Sequence, residues 1–366
     1  MKYILVLLLL VIPFTNTMGQ EEELRMGFEE YEPISTLVVP ENPTTFAKFP
    51  FIDVHSHLRR MGTMDLKKTA LEMDSLNMRV LVNLSGRSGD ALKEMVDAAE
   101  AQAPGRFIVF ANIDFSGMDD PDWTERTVAQ LEEDVRNGAK GLKIFKNLGL
   151  TVTDSNGNRI RTDDPRIDPV WALCGELGIP VLIHTGEPAV FWAPIDENNE
   201  RWLEMKQFPS RHRGDTTRYP SWEVVMQEQW NMFKKHPNTT FINAHFGWMA
   251  NDLESLGKHL DEFPNVYTEI AAIIAELGRQ PRFAREFFIK YQDRILFGKD
   301  TYRPQEFHTY FRVLESNDEY FDYFRKRHAF WKMYGLGLPD EVLEKVYYKN
   351  ALRLIPGIDP SLFVEN

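Results

Sequence analysis

Four of the nine histidines in this 366-residue chain stand at the ends of apolar runs rather than in polar stretches. They are His55 and His57 in "PFIDVHSHLRR", His184 in "PVLIHTGEP" and His245 in "TTFINAHFG". Residues i and i+2 of a strand point to one face, so His55 and His57 can present both imidazoles to a single point. A further apolar run, "RILFGKD", ends in Asp300. Imidazoles and a carboxylate gathered at one end of a set of strands make a donor set suited to a divalent ion, zinc first, with manganese, iron or cobalt also compatible. Buried without an ion, the same groups would leave many polar atoms unsatisfied. A lone His-x-His pair is a weak signal; the recurrence of histidine at several strand ends is what gives it weight.

Elements of one kind must bring these residues together. From Phe51 onward, short β-rich runs alternate with longer stretches of helical period, the pattern of βα units and a parallel sheet. The strand candidates are "FIDVHSH", "RVLVNLS", "RFIVFANID", "GLKIFK", "IPVLIHT", "TTFINAHF", "NVYTEIA" and "RILFGKD". Between them, segments such as "TMDLKKTALEMDSLNM" and "PDWTERTVAQLEEDVRNG" repeat apolar residues at intervals of three and four. Eight such units predict an α/β fold, a closed (β/α)8 TIM barrel with its site at the C-terminal face of the strands. A doubly wound open sheet is the alternative, although no Gly-rich dinucleotide fingerprint follows the first strand.

Two loops are long. Residues 146–165 hold a hairpin signal at Asn156 and Gly157, and residues 185–222 are rich in Trp, Pro and Arg. Both would lie over the C-terminal face of a barrel. The aromatic and basic stretch from about residue 320 to Ile355 reads as closing helical structure.

Residues 1–19, with a basic start and a short apolar run, read as a secretory signal peptide. That leader predicts export to a periplasm or the cell exterior, without stable membrane insertion. Residues 20–49 form an N-terminal arm, 50–355 the barrel and 356–366 a C-terminal tail. The single cysteine, Cys174, can form no internal disulfide and reads as a small core residue. A net charge of -13 argues against a nucleic-acid backbone as partner. A small molecule is the partner expected, with a homodimer allowed for.

Taken together, "DVHSH", "LIHTGEP", "INAHFG" and "LFGKD" resemble, in order and strand position, the metal motifs of the amidohydrolase superfamily. Within it the chain is most similar to the branch that includes aminocarboxymuconate-semialdehyde decarboxylase, resorcylate decarboxylases and several lactonases. The resemblance runs from about Phe51 to Ile355. It implies one divalent ion held by His55, His57, His184 and Asp300, with His245 as the catalytic histidine. Binuclear branches add a carboxylated lysine on the fourth strand, where "KGLKIFKN" offers Lys143 and Lys146. At most one of these can face the lumen of a regular strand. The decarboxylase-like branch lacks that bridge, which favours a substrate contact for the inward lysine.

The last motif reads Gly298-Lys299-Asp300 where the family commonly has Thr or Ser before the aspartate, and on parity Lys299 faces away from the metal. Arg59 and Arg60 adjoin the first motif, either to meet an anionic substrate or as solvated loop charges. Glu187 and Glu269 fall near the same barrel face and either bind substrate or pair with a basic residue. Trp192, Trp202, Trp222, Phe191, Phe208 and Tyr219 either stack on a substrate ring or form the loop's own core.

The function expected is hydrolysis of a small polar lactone, ester or amide, such as a sugar-acid or aromatic-acid derivative, by metal-activated water. Non-oxidative decarboxylation of a small carboxylic acid is the alternative. A barrel that binds a metal or solute without turnover is the second alternative.

Overall fold

The apolar runs become short parallel strands covered on both faces, as an all-parallel sheet requires. A computed structural model describes residues 26–27, 29–328 and 331–364, so the signal peptide expected at 1–19 lies outside the described residues. The strands are β1 (Phe51–Ser56), β2 (Met78–Asn83), β3 (Phe107–Val109), β4 (Ala111–Asn112), β5 (Leu142–Ile144), β6 (Val181–Ile183), β7 (Phe241–Asn243), β8 (Val266–Glu269) and β9 (Ile295–Leu296). They pair in sequence order, β1-β2-β3 and then β4 through β9, all parallel.

β3 and β4 are one barrel strand broken at Phe110. The ladder continues across the break, since Phe110 N–H donates to Asn83 O and Lys140 N–H to Val109 O, each at 3.0 Å. The ring is completed where Val54 N–H donates to Phe297 O (3.0 Å) and Asp300 N–H to His55 O (2.7 Å). The architecture is therefore the (β/α)8 TIM barrel.

Alternation along the strands separates two cores. Ile52, Val54, Val80, Val82, Ile108, Leu182, Ile242 and Leu296 fill the lumen. Phe51, Leu81, Phe107, Leu142, Val181 and Phe241 face the surrounding helices, where Cys174 and Trp171 of the helix Asp168–Glu176 are also fully buried. Burial pushes the Cys174 thiol up, so it stays protonated and packs as an apolar group. The C-terminal segment is packed rather than loose: Ile358 and Phe363 join the lumen cluster, and Phe363 stacks on Tyr348 at 5.2 Å.

The chain divides into two compact units, Met1–Val39 and Pro40–Asn366. In the first, the described residues contain a turn closed by Glu30 N–H donating to Gly27 O (3.0 Å). The second begins within the stretch expected to be an arm, where Asn42 bonds Asp318 through both its backbone N–H and its side-chain amide (2.7 Å each).

The hairpin expected in 146–165 is present, with Thr153 bridging Arg159 antiparallel and Gly157 at φ 82°. Among the described residues, the helical expectation for the closing segment holds from Asp340 onward and, before it, in a single 3₁₀ turn at Lys326–His328. Upstream, an isolated bridge joins Phe321 to Met333, and Gly337 (φ 53°) followed by Pro339 ends any continuous helix.

Candidate active site

The register of β1 against β2 shifts twice, by one step against two between Phe51 and Ile52 and in the opposite sense around His55. Asp53 pairs with Leu81 and Ser56 with Asn83, three steps against two. Such a bulge re-aims the side chains that follow it. His55, fully buried, donates through Nδ1 to Glu269 Oε1 (2.9 Å), which fixes its tautomer and leaves the Nε2 lone pair exposed to the site. That Nε2 lies 3.5 Å from Asp300 Oδ1 and has no hydrogen-bond partner among the described residues. His57 turns Nδ1 to Ser85 Oγ (2.9 Å) and sets its Nε2 3.7 Å from the same Asp300 oxygen.

Asp300 is placed by backbone rather than by strand propensity. Its φ is 81°, a left-handed conformation unusual for aspartate, secured by its N–H on His55 O. Gly298, two residues earlier, permits the closeness of the whole group. A Cβ there would meet Glu269 Oε2 at 2.5 Å and His55 Cβ at 3.0 Å. Lys299 faces the other way, as parity predicts, with Nζ on Thr301 O (2.7 Å) and on Glu306.

His245 opens a left-handed stretch in which His245, Phe246, Gly247 and Trp248 all have φ between 54° and 59°. Non-glycine residues in that region cost about 1–3 kcal/mol each and concentrate at functional sites. The turn lets His245 N–H donate to Glu269 Oε1 (2.8 Å) while its Nδ1 donates to Ala271 O (2.7 Å). Its Nε2 must then accept, and it faces His184 Nδ1 at 3.2 Å. His184 Nε2 accepts in turn from Trp248 Nε1 (3.2 Å).

The structure thus brings His55, His57 and Asp300 together, with ligand atoms all within 4.8 Å of one another. His184 joins them through His245 rather than directly. His55, His245 and Glu269 form a second close group, but Glu269 already accepts from His55, His245 and Ala271. Glu269 is a fully buried support behind the imidazoles, away from the cavity, and the basic side chain bonded to it is His55 rather than a lysine or arginine.

Of the two lysines, Lys143 pairs in register with the lumen residue Leu182 and is buried, its Nζ without a hydrogen-bond partner among the described residues. Burial pulls it down to about 7, against the pull of Glu269 and Asp300. Lys146 is half-exposed and pairs with Glu187 Oε1 at 2.5 Å. Glu187 therefore takes the basic partner that was one of its two expected roles.

A divalent ion fits this donor set. The buried Nε2 of His55 lacks a partner, both Nδ1 atoms are held by neighbours, and second partners of this kind orient metal-binding imidazoles. The imidazoles are also neutral. Burial lowers His55 and His184 well below the ordinary value, and His57 to about 4. Burial opposes the charge on Asp300, and its carboxyl is lowered to the extent that the surrounding His55, His245, His57 and Lys143 carry positive charge.

One consequence is a pH dependence of stability. An imidazole protonated near 6.5 when unfolded but only near 4 when folded takes up protons preferentially in the unfolded chain between those values. The metal-free protein is expected to lose stability steadily as pH falls from 6.5 toward 4, and His57→Gln to flatten that slope in chemical denaturation.

A cavity of about 620 Å³ opens over the site, lined by His184, His245 and Asp300 together with Phe191, Trp248 and Phe324. Arg59 and Arg60 are exposed and do not line it, although Arg59 adds a repulsive charge near His57. Of the six loop aromatics only Phe191 reaches the wall. Trp192 and Trp222 bond loop carbonyls, Pro220 O (2.8 Å) and Glu187 O (3.2 Å), as a miniature core would. The basic residues that do line it, among them Arg211, Arg303, Arg325 and Arg327, were missed in the sequence. The run Arg325-Lys326-Arg327 was visible there as a charge cluster, but nothing local tied it to the barrel mouth.

A family model described as amidohydrolase matches residues 52–357. No curated protein matches the chain. Among solved structures, an uncharacterised TIM-barrel protein of Bordetella bronchiseptica is similar at 17% identity and a TM-score of 0.50, covering 83% of this chain and 97% of that one. A 2,6-dihydroxybenzoate decarboxylase solved with 2,6-dihydroxybenzoate is similar at 15% identity and a TM-score of 0.50, covering 84% and 99%. A 4-oxalomesaconate hydratase from Rhodopseudomonas palustris gives 15% and 0.50, covering 85% and 97%. At these identities the likeness to solved structures is one of fold.

Proposed function

The chain belongs to the amidohydrolase family, and from that membership we propose that it is a metal-dependent hydrolase opening a lactone, ester or amide of a small polar acid. The observation that carries this reading is Asp300: an ionised carboxylate aimed at the free Nε2 atoms of His55 and His57 while its side chain remains 31% exposed to the cavity. In this reading His55, His57, His184 and Asp300 would hold one divalent ion, zinc by preference. Such an ion supplies Lewis acidity, polarising a carbonyl oxygen and making water a nucleophile near neutral pH.

The remaining steps belong to the protein. Asp300, held ionised, accepts the proton of the attacking water and passes it toward the leaving group. His245 keeps its Nδ1 proton on Ala271 O, so its Nε2 is the atom that assists the transfer of the water proton to the leaving group. Glu269 holds His55 and the His245 backbone in register. Lys143 lies buried near the imidazoles, while Lys146 and Glu187 contact substrate from the cavity wall.

The rival is a decarboxylase, in which an acid at the Asp300 position protonates the carbon that loses carbon dioxide. A carboxyl that its neighbours lower rather than raise is less suited to the acid role. The metal-loaded chain, offered lactones, esters and hydroxybenzoates, is expected to release carboxylate and protons without carbon dioxide. Carbon dioxide release without hydrolysis would transfer the protein to the lyase reading.

A further inference from the structure

The charge of the cavity wall contradicts the charge of the chain. The sequence carries a net charge of -13, yet Lys146, Arg201, Arg211, Arg303, Arg325, Lys326 and Arg327 face only Glu187, Glu204, Asp300 and Glu306 across this space. Part of the excess is internal structure: Lys146 pairs with Glu187, Arg201 with Glu204 and Glu276, and Arg211 with Glu204.

The wall around Glu306 is different. That one carboxylate is bonded by the fully buried Lys299, stands 3.4 Å from Arg303 and reaches Arg325 only at 3.9 Å. Arg327 has no ion pair among the described residues. Its guanidinium lies over the Phe208 ring at 5.0 Å, and its Nε is buried without an acceptor. Arg325 is seated likewise over Phe324, at 5.3 Å. Burial lowers the Arg327 pKa against the pull of Glu204, whereas Arg325 is raised against burial by neighbours that include Glu306 and Asp300. Two guanidinium groups held on aromatic rings, with fewer carboxylates than cations around them, form a prepared anion receptor.

We propose that the substrate carries a second acidic group, a carboxylate, sulfate or phosphate remote from the bond that breaks, and that Arg325 and Arg327 receive it. The cavity volume of about 620 Å³ lies within the about 300–1,000 Å³ range of small-molecule sites, room for a ligand spanning Asp300 and the arginines. This deepens the hydrolase reading by naming its substrate class, and it moves the anion contact from Arg59 and Arg60 to the segment after the last strand.

The test uses the metal-free full chain, so that binding is measured apart from reaction. Calorimetric titration with phenyl phosphate, benzoate and the neutral benzamide is expected to show both anions binding about tenfold or more tightly than benzamide, with an affinity that falls as salt rises. R325Q/R327Q is expected to lose that preference, R325K/R327K to keep most of it, and R126Q, on an exposed helix face outside the cavity, to leave it unchanged. A stronger response to phenyl phosphate or to benzoate supports the proposal equally and names the acid. Benzamide bound as tightly as the anions, or an anion preference intact in R325Q/R327Q, would overturn it. Anion binding through these arginines without hydrolysis of any substrate would sink the hydrolase reading alone. Hydrolysis of acid-bearing lactones at the same kcat/KM in wild type and R325Q/R327Q would sink the second acid alone.

Discussion

Asp300→Asn is expected to lower turnover by about 10²–10⁴-fold at saturating metal, the range typical of losing a positioned acid or base. The substitution is nearly isosteric, and the backbone that holds position 300 does not depend on the side chain: its N–H bonds His55 O whichever residue is present. What disappears is the charge. The Nε2 atoms of His55 and His57 would then face an amide, which can neither neutralise an ion between them nor accept a proton from water. The measurement is kcat across a metal titration, which separates weakened ion binding from lost proton transfer. A kcat that recovers to the wild-type value at high metal would place the proton acceptor elsewhere.

His55→Ala is expected to act on stability as well as on the ion. His55 is fully buried and donates to Glu269, itself fully buried, whose remaining donors are the backbone N–H groups of His245 and Ala271. Removing one partner of a buried hydrogen bond costs about 1–3 kcal/mol, more where the survivor is charged, because the survivor keeps its desolvation penalty. His57 offers a contrast just beyond the end of that strand, since it is 18% exposed and its second nitrogen rests on a neutral hydroxyl. Both variants should lose the ion. Only His55→Ala should also unfold at markedly lower denaturant concentration when the two metal-free proteins are compared.

The legible part of this protein was whatever depends on short sequence intervals. The i, i+2 spacing of His55 and His57, the apolar runs ending at His184 and His245, and the parity that turns Lys299 away all follow from strand geometry. So does the barrel, because each βα unit carries its own alternation and stop signals. The parts that were not legible depend on distant contacts or on rare backbone. No propensity announces four consecutive left-handed residues from His245 to Trp248, three of them not glycine. The two register shifts of β1 are visible only against its partner strand. Glu269 lay in a plausible strand end, but its role rests on meeting His55 across 214 positions of sequence. Arg325 and Arg327 sit in a segment whose aromatic content suggested helix and whose fold is irregular, so no period pointed them at the cavity.

Elemental analysis of the purified chain, wild type and His55→Ala, tests the central claim most directly. One divalent ion per wild-type chain and none in His55→Ala is the predicted result. A wild-type protein that turns over substrate after complete removal of metal, or a His55→Ala protein that retains a full equivalent, would contradict it.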